Sequence, residues 1–461
     1  MTNDYDVVIS GAGLAGCTAA ILFARRGVRV ALLERRSDPH AYKLLCTHSI
    51  TANAHPVLDE LGLIPELEKA GALHNDARWY TRWGWIEPRP APRGPALPHG
   101  YNVRRSTLDP LIRSRAARTP GVDLLLGHRV TGLVREAGRT VGVRTSTPQG
   151  DVTIRARLVV GADGKDSAVA KFAEVPTKVH ENTRFGYLAH FRDLPLHGGI
   201  GQTWFLEPDM AYAFPNDDGV TVLAVLPDKK RLPAFRNDLE GSFLEFVRAL
   251  PEAPPIDSAE RITKFIGTVD YPLLTRDPTA PGIALVGDAA LTGDPLWGVG
   301  CGWAFQSAQW LVEAGGGPRA GRGGPRPRRP RAGRAGRPPR PAAAPPVPPP
   351  APPGGGRGAR RGAARRAPPP LDRALAGYGR RHRRRLRGHQ FMAVDFAKAR
   401  PFNPGERLLF SAAARDESMA RHMYMFAARL IGPLRFLNPS ALAKAAAVNI
   451  GYRGAGVPPA R

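Results

Sequence analysis

Three clusters in this 461-residue chain have residue types and spacings that suit chemistry rather than packing. The first is Gly11-Ala-Gly13-Leu-Ala-Gly16, followed beyond an apolar run by Glu34. Glycines spaced this way allow a tight turn, let a pyrophosphate approach bare backbone, and let a helix pack close to the preceding strand; the acid can accept hydrogen bonds from ribose hydroxyls. Arg35 and Arg36 either favour a phosphorylated ribose or are solvated surface charges. The second cluster is Gly161-Ala-Asp163-Gly164, with Ser167 after it; taken alone it reads as an ordinary turn. The third runs Gly287-Asp288-Ala-Ala, then Asp294-Pro295, then Gly298, Gly300 and Gly302. There an acid at a strand end can meet sugar hydroxyls, while a glycine-rich helix start turns N–H groups and a partial positive charge toward a second part of a ligand.

The elements that must hold these clusters can be read around them. "YDVVIS" (5–10) is a β-branched apolar run without polar alternation, which predicts a buried parallel strand. A helix follows from about Leu14 to Arg26, and "VRVALLE" (28–34) is the next strand. "ARLVVGA" (156–162) predicts another buried strand with a helix near Ser167, and 282–287 a strand leading to the glycine-opened helix. Between them, "IGQTWFL" (200–206) and "MAYAFPNDDGVTVLAVLP" (210–227) read as antiparallel strands, with a hairpin at Asn216 to Gly219. One face of that sheet is expected to cover the cofactor and the other to meet solvent. The reading is an α/β protein: a Rossmann-like nucleotide domain over 1–175 and 277–313, an inserted antiparallel β-sheet substrate domain over 176–276, and a C-terminal helical region over 371–461 that caps the cleft.

Length allows a large core in two or three units. Cys17, Cys46 and Cys301 are few, odd in number and far apart in sequence, which predicts neither a disulfide framework nor a metal site, and fits a reducing compartment such as the cytoplasm. No secretory signal is expected, and no apolar run is long enough to span a bilayer. The net charge of +26 invites a nucleic-acid reading, but fourteen of those charges are arginines in residues 314–370, a stretch of Gly, Pro, Arg and Ala broken only by Val347. Such a composition cannot offset chain entropy by burial. It reads either as a basic arm for polyanions or, preferably, as a GC-rich gene translated briefly out of frame, which resequencing tests. No specific nucleic-acid partner is expected.

The three motifs in this order, over about residues 4–311, resemble the single-component FAD-dependent monooxygenases (the group A aromatic hydroxylases), to which flavin-dependent halogenases and geranylgeranyl reductases are related. The resemblance implies FAD held non-covalently in an extended pose, with NAD(P)H as a transient co-substrate and dioxygen as oxidant. It places Gly11, Gly13 and Gly16 on the pyrophosphate, with Glu34 and Arg35 near the adenosine ribose. It puts Asp288 on the ribityl chain or pyrophosphate, and Pro295, Gly298, Gly300 and Gly302 along the isoalloxazine, where the helix start would stabilise an anionic reduced ring. Asp163 and Gly164 would support the pyrophosphate side, and Arg105 in "VRRSTLD" would face the FAD phosphates, the plainer alternative being a surface salt bridge.

The sequence departs from the family pattern in places. Leu291 stands where His is common, Ala170 and Lys171 where an arginine is usual, and Gly302 where Asn often closes the glycine loop. Asp294-Pro295-Leu296 and Ala304 lean toward the reductase and halogenase branches. The implied activity is hydroxylation or epoxidation of a small hydrophobic or aromatic molecule. Trp79, Tyr80, Trp83 and Trp85 in "RWYTRWGWIEP" offer an aromatic pocket wall or ordinary core packing. The Trp-x-Trp-Ile order comes too early in the chain for the halogenase signature. Lys43, Cys46 and His48 in "YKLLCTHSI", together with Trp297, are the candidates for lining the active site. The helical tail is expected to dock at most weakly on a membrane.

Overall fold

A computed structural model describes residues 4–315 and 370–454. The Gly/Pro/Arg/Ala stretch therefore lies almost entirely outside the described residues, as do both readings of it. At the centre is a parallel sheet whose strands lie in the order Ile283–Leu285, Gly150–Gly161, Tyr5–Ser10, Val30–Glu34 and Val122–Leu126. The long strand Gly150–Gly161 bends out of this sheet into an antiparallel ladder with Arg139–Thr147 and Arg129–Glu136. Ser10 lies opposite Gly161, and Gly161 opposite Leu285. The loops that begin at Gly11, Ala162 and Val286 thus leave the sheet side by side at the carboxyl ends of adjacent strands, where open α/β sheets bind ligands.

The helix Leu14–Ala24 ends two residues earlier than the sequence suggests, and every residue in it is buried. It is sandwiched between the sheet and the helix Gly300–Ala314, which also carries most of its side chains inward. The close approach needs glycine at position 16, where a Cβ would stand 1.8 Å from the Gly11 carbonyl oxygen. Gly11 is the tight turn itself, with φ +103° and a Cβ position 2.5 Å from the Ala162 carbonyl oxygen.

A second, mostly antiparallel sheet contains Gly186–Arg192, Val220–Leu226, Met210–Pro215 and Gly201–Phe205. Residues Asp217–Gly219 turn the expected hairpin. Two strands from much earlier in the chain, Ala77–Thr81 and Gly84–Ile86, extend this sheet, the first pairing in parallel with Gly201–Phe205. The expectation of a solvent-facing side is overturned. Trp204, Ala211, Leu223 and Val225 pack beneath the helices Leu232–Asn237 and Leu239–Arg248. The strand Val220–Leu226 is buried at every position, the pattern of a sheet covered on both faces.

The C-terminal chain ties the two sheets together. Helix Pro370–Phe396 packs Leu375, Tyr378 and Leu386 into the nucleotide-domain core, and the buried Tyr378 hydroxyl donates to the Leu285 carbonyl at 2.6 Å. Its far end, Phe396, joins a second core beneath the antiparallel sheet. "FNPGE" then starts the helix Pro404–Ala413 with a capping box, in which the Asn403 side chain accepts from the Glu406 N–H and Glu406 accepts from the Asn403 N–H. Helices Glu417–Ala427, Pro433–Phe436 and Pro439–Gly454 complete the cap. Among the described residues no helix is long and apolar enough to cross a membrane.

Candidate functional site

The three loops form one cradle. Gly13 is the N-cap of the helix Leu14–Ala24; no side chain caps that helix, and a Cβ on Gly13 would meet nothing within 4 Å. Glu34 reaches back from the neighbouring strand to accept from the Ala12 N–H at 3.1 Å, while its other oxygen accepts from the Arg36 N–H at 3.1 Å. Arg35 and Arg36 are exposed. On the second loop, Asp163 accepts from the Ser167 hydroxyl at 2.5 Å and the Val169 N–H at 3.1 Å, so it anchors the short helix Ala168–Phe172, and Gly164 takes φ +83°. On the third, Asp288 pairs with Lys43 at 3.0 Å, which pushes the Lys43 ammonium above its ordinary pKa. The helix Gly300–Ala314 begins beside that carboxylate with no side-chain cap. Gly302 leaves room for the Thr51–Asn53 turn: a Cβ there would lie 2.5 Å from the Thr51 hydroxyl and 2.9 Å from Asn53 Oδ1. An asparagine already fills this place from the other side, which accounts for the departure at this position.

Arg105 is not a surface residue. It is buried at the start of the helix Arg105–Ala117, with its guanidinium bidentate on Asp109 at 2.7 and 3.0 Å and Nη1 3.7 Å from Cys46 Sγ. The arginine that touches the glycine loop is Arg113, two turns further on, whose Nε donates to the Ala12 carbonyl at 3.3 Å. Cys46 and Cys301, distant in sequence, pack with their sulfurs 3.9 Å apart. The Cys301 hydrogen bond and the Arg105 charge hold Cys46 well below an ordinary thiol, and Cys301 is pushed up.

His48 adopts a left-handed φ of 60°, and its Nδ1 accepts from the Arg105 backbone N–H at 3.0 Å. That bond leaves the His48 proton on Nε2, which meets His190 Nε2 at 2.9 Å, and puts the His190 proton on Nδ1, facing Thr263. Burial lowers the pKa of both rings, His190 to about 4. The His48 ring is thus engaged by the antiparallel sheet.

Trp297 lies elsewhere, on a cavity of about 360 Å³ that runs past Ser49, Thr51 and Gly298 and beneath the C-terminal helices. Of the four clustered aromatics only Trp79 lines this cavity. Strand alternation turns Tyr80 to the other face, where Trp85 meets Tyr80 and Trp204 edge-on; Trp83 stacks on Phe402 in the core on the cavity side. Phe205, Met392, Phe396, Met423, Phe426 and Phe436 are among the residues that make up the rest of the apolar wall.

The FAD binding domain family matches residues 4–230 of this chain. The chain is 31% identical over 325 residues to the 6-methylpretetramide 4-monooxygenase of Streptomyces rimosus, covering 66% of this chain and 73% of that protein. It belongs to the FAD-binding family. It is also 26% identical over 336 residues to digeranylgeranylglycerophospholipid reductase 1 of Methanococcoides burtonii, covering 68% of this chain and 74% of that protein. A flavoprotein/dehydrogenase from Cytophaga hutchinsonii shares the fold, with a TM-score of 0.71 at 15% identity over 97% of this chain and 100% of that one.

The protein is an FAD-dependent oxidoreductase, and its cradle fits the cofactor on its own geometry. Two helix N-termini without side-chain caps face the same sheet edge, and the open space before Gly13 is one that a side chain would fill. FAD supplies the redox chemistry when bound; the flavoenzyme's residues hold and enclose it. Sequence reasoning expected the C-terminal helices over the cleft but missed Arg113, His190 and the individual C-terminal residues that line the cavity. For Arg113 a signal existed, since it lies on the same helix as Arg105 with the spacing of one face. For the others none did.

Proposed function

We propose that this flavoenzyme is a monooxygenase that uses NAD(P)H and dioxygen to hydroxylate or epoxidise an aromatic or polycyclic small molecule in specialised metabolism. One observation carries the reading: an aromatic-walled cavity of about 360 Å³ opens along Trp297 and Gly298, on the loop assigned to the isoalloxazine. In this reading Gly11, Gly13 and Gly16 admit the pyrophosphate, Glu34 holds the ribose, and Asp288, positioned by its ion pair with Lys43, meets the ribityl side. Gly298, Gly300 and Gly302 lay a helix N-terminus against the ring, and Pro295 and Trp297 close its edge. Asp163 and Gly164 set the shape of the middle loop. Arg105 acts through Asp109 and Cys46 as a positioning residue rather than as a phosphate ligand. The apolar walls exclude water from the reacting centre.

A reductase that saturates alkenes is the second reading, favoured by Asp294-Pro295 and by the similarity to the digeranylgeranylglycerophospholipid reductase. NAD(P)H oxidation by the FAD-loaded enzyme across aromatic and isoprenoid substrates, with and without oxygen, separates the two. Product carrying label from ¹⁸O₂ supports the monooxygenase. Substrate turnover that persists without oxygen refutes it in favour of the reductase.

A further inference from the structure

The cavity beside Trp297 holds a charge that the protein itself does not balance. Arg429 lines it, 3.2 Å from His389 Nδ1 through Nη1 and with its guanidinium over the rings of Trp297 and Phe426 at 5.5 and 5.3 Å. Among the described residues it has no ion pair, and its Nε is buried without a hydrogen-bond partner. His389 cannot compensate. It accepts from Arg429, and burial with that neighbouring charge lowers its pKa to about 3, so the ring is neutral at working pH. The two carboxylates that line the cavity, Asp395 and Glu406, are already taken up by Arg400.

Two further features point the same way. The indole Nε1 of Trp297, whose side chain also lines the cavity, is a second buried donor with no partner. Arg429 itself sits just past the helix Glu417–Ala427 at φ 61°, a left-handed position where glycine is the cheap residue and a long side chain is strained. Strain of this kind persists where the surrounding structure holds a side chain in place, and clusters at ligand sites. Burial alone also lowers the Arg429 pKa to about 10, which leaves it charged at neutral pH in a poorly solvated wall. An unpaired buried cation and an orphaned N–H side by side make a receptor for an anionic oxygen.

We infer that Arg429 and Trp297 Nε1 bind an anionic oxygen on an otherwise aromatic substrate, a carboxylate or an ionised phenol or enol, and thereby fix which end of that substrate faces the Gly298 loop. The inference deepens the proposed function by naming the substrate class and rests on the same cavity. It concerns binding, so it holds or fails separately from the oxygen chemistry.

The test uses the FAD-loaded enzyme and three probes of one shape: 2-naphthoate, 2-naphthol and 2-naphthamide. Binding is read from the flavin absorbance and tryptophan fluorescence, without turnover. The wild type is expected to bind 2-naphthoate about 10- to 100-fold more tightly than 2-naphthamide, as a charge-assisted hydrogen bond in a dry site requires. Bound 2-naphthol showing the naphtholate absorbance below its solution pKa would identify the ionised phenol as the form held. Arg429→Gln should abolish the acid-over-amide preference, Arg429→Lys should restore part of it, and Trp297→Phe should weaken it. Flavin content and melting temperature report whether each variant is folded. If the wild type shows no preference for the acid, including binding neither probe, the inference is overturned without recourse to a variant. A folded Arg429→Gln enzyme that keeps the full preference overturns it too. Absence of oxygen-dependent turnover, with the acid preference intact, would remove the monooxygenase reading alone.

Discussion

Replacing Gly13 with valine separates what the glycine loop does for the fold from what it does for the cofactor. Gly13 has φ −87°, an angle any residue adopts, and a Cβ there meets nothing within 4 Å. The apoprotein should therefore lose little, about 1 kcal/mol or less and roughly 1–3 °C of melting temperature, the loss being that of a β-branched residue at a helix N-cap. The valine side chain would instead occupy the space before the helix N-terminus and hold the pyrophosphate off the N–H groups. Hydrogen bonds to a charged group contribute about 1.5–3 kcal/mol each, so losing one or two costs about 3 kcal/mol, or roughly a hundredfold in FAD affinity. Gly16→Ala is the contrasting control: its Cβ would lie 1.8 Å from the Gly11 carbonyl, so the helix must move off its sheet. Overpacking of this kind costs about 1–3 kcal/mol and should lower the apoprotein melting temperature itself. Flavin fluorescence titration of apoprotein, with thermal melting in the absence of FAD, reads both effects. Unchanged FAD affinity in a well-folded Gly13→Val protein would refute the placement of the pyrophosphate. So would a Gly13→Val apoprotein as destabilised as Gly16→Ala.

Two other expectations follow from packing and protonation. Gly302→Asn, which restores the residue common in the family, should lower the melting temperature and FAD retention, because its Cβ would collide with Thr51 and Asn53; a stable, fully flavinated variant would show that the Thr51–Asn53 turn yields freely. The pKa of His190 is lowered from 6.5 to about 4, so the unfolded chain takes up a proton in that interval that the folded chain does not. Stability from this group is complete above about pH 6.5 and is lost as pH falls toward 4. His190→Gln should flatten the melting-temperature profile across that window, and a profile as steep as the wild type's would remove His190 from the account.

How much was legible in the sequence follows from the range of the interactions involved. The three loops could be read because each is local: a β-branched run, a glycine whose missing Cβ admits a neighbour, an acid at a strand end. Their convergence needed only the rule that parallel strands end at a common edge, and the register of Ser10, Gly161 and Leu285 satisfies it. Arg105 does form the salt bridge that was the plainer alternative to a phosphate contact, but with Asp109 one helical turn away and buried rather than on the surface, a burial that local spacing does not reveal. The His48–His190 contact joins residues 142 positions apart, one on a loop and one on the antiparallel sheet, and no periodicity announces such a pair. The expectation of one solvent-facing side fails at Val220–Leu226, which is apolar almost throughout and buried at every position, because the helices that cover the second face come later in the chain.

The cavity makes the sharper point about where function is encoded. One edge of it is Trp297 and Gly298, inside a recognisable motif, but most of its wall is drawn from residues between His389 and Leu437. Those helices carry no motif, and their spacing reflects packing against Phe205 and the sheet above. The nucleotide loops thus set the kind of chemistry, while the far end of the chain sets what can lie beside it. Within that wall apolar residues are interchangeable at modest cost when volume is kept, typically less than about 1.5 kcal/mol. A buried guanidinium is different, since its charge in an apolar wall opposes folding unless something answers it. Asp395 and Glu406 are answered by Arg400, and Arg429 is not. On the inference drawn above, the distinction between a wall that merely excludes water and one that selects a substrate comes down to Arg429 and the Trp297 N–H beside it.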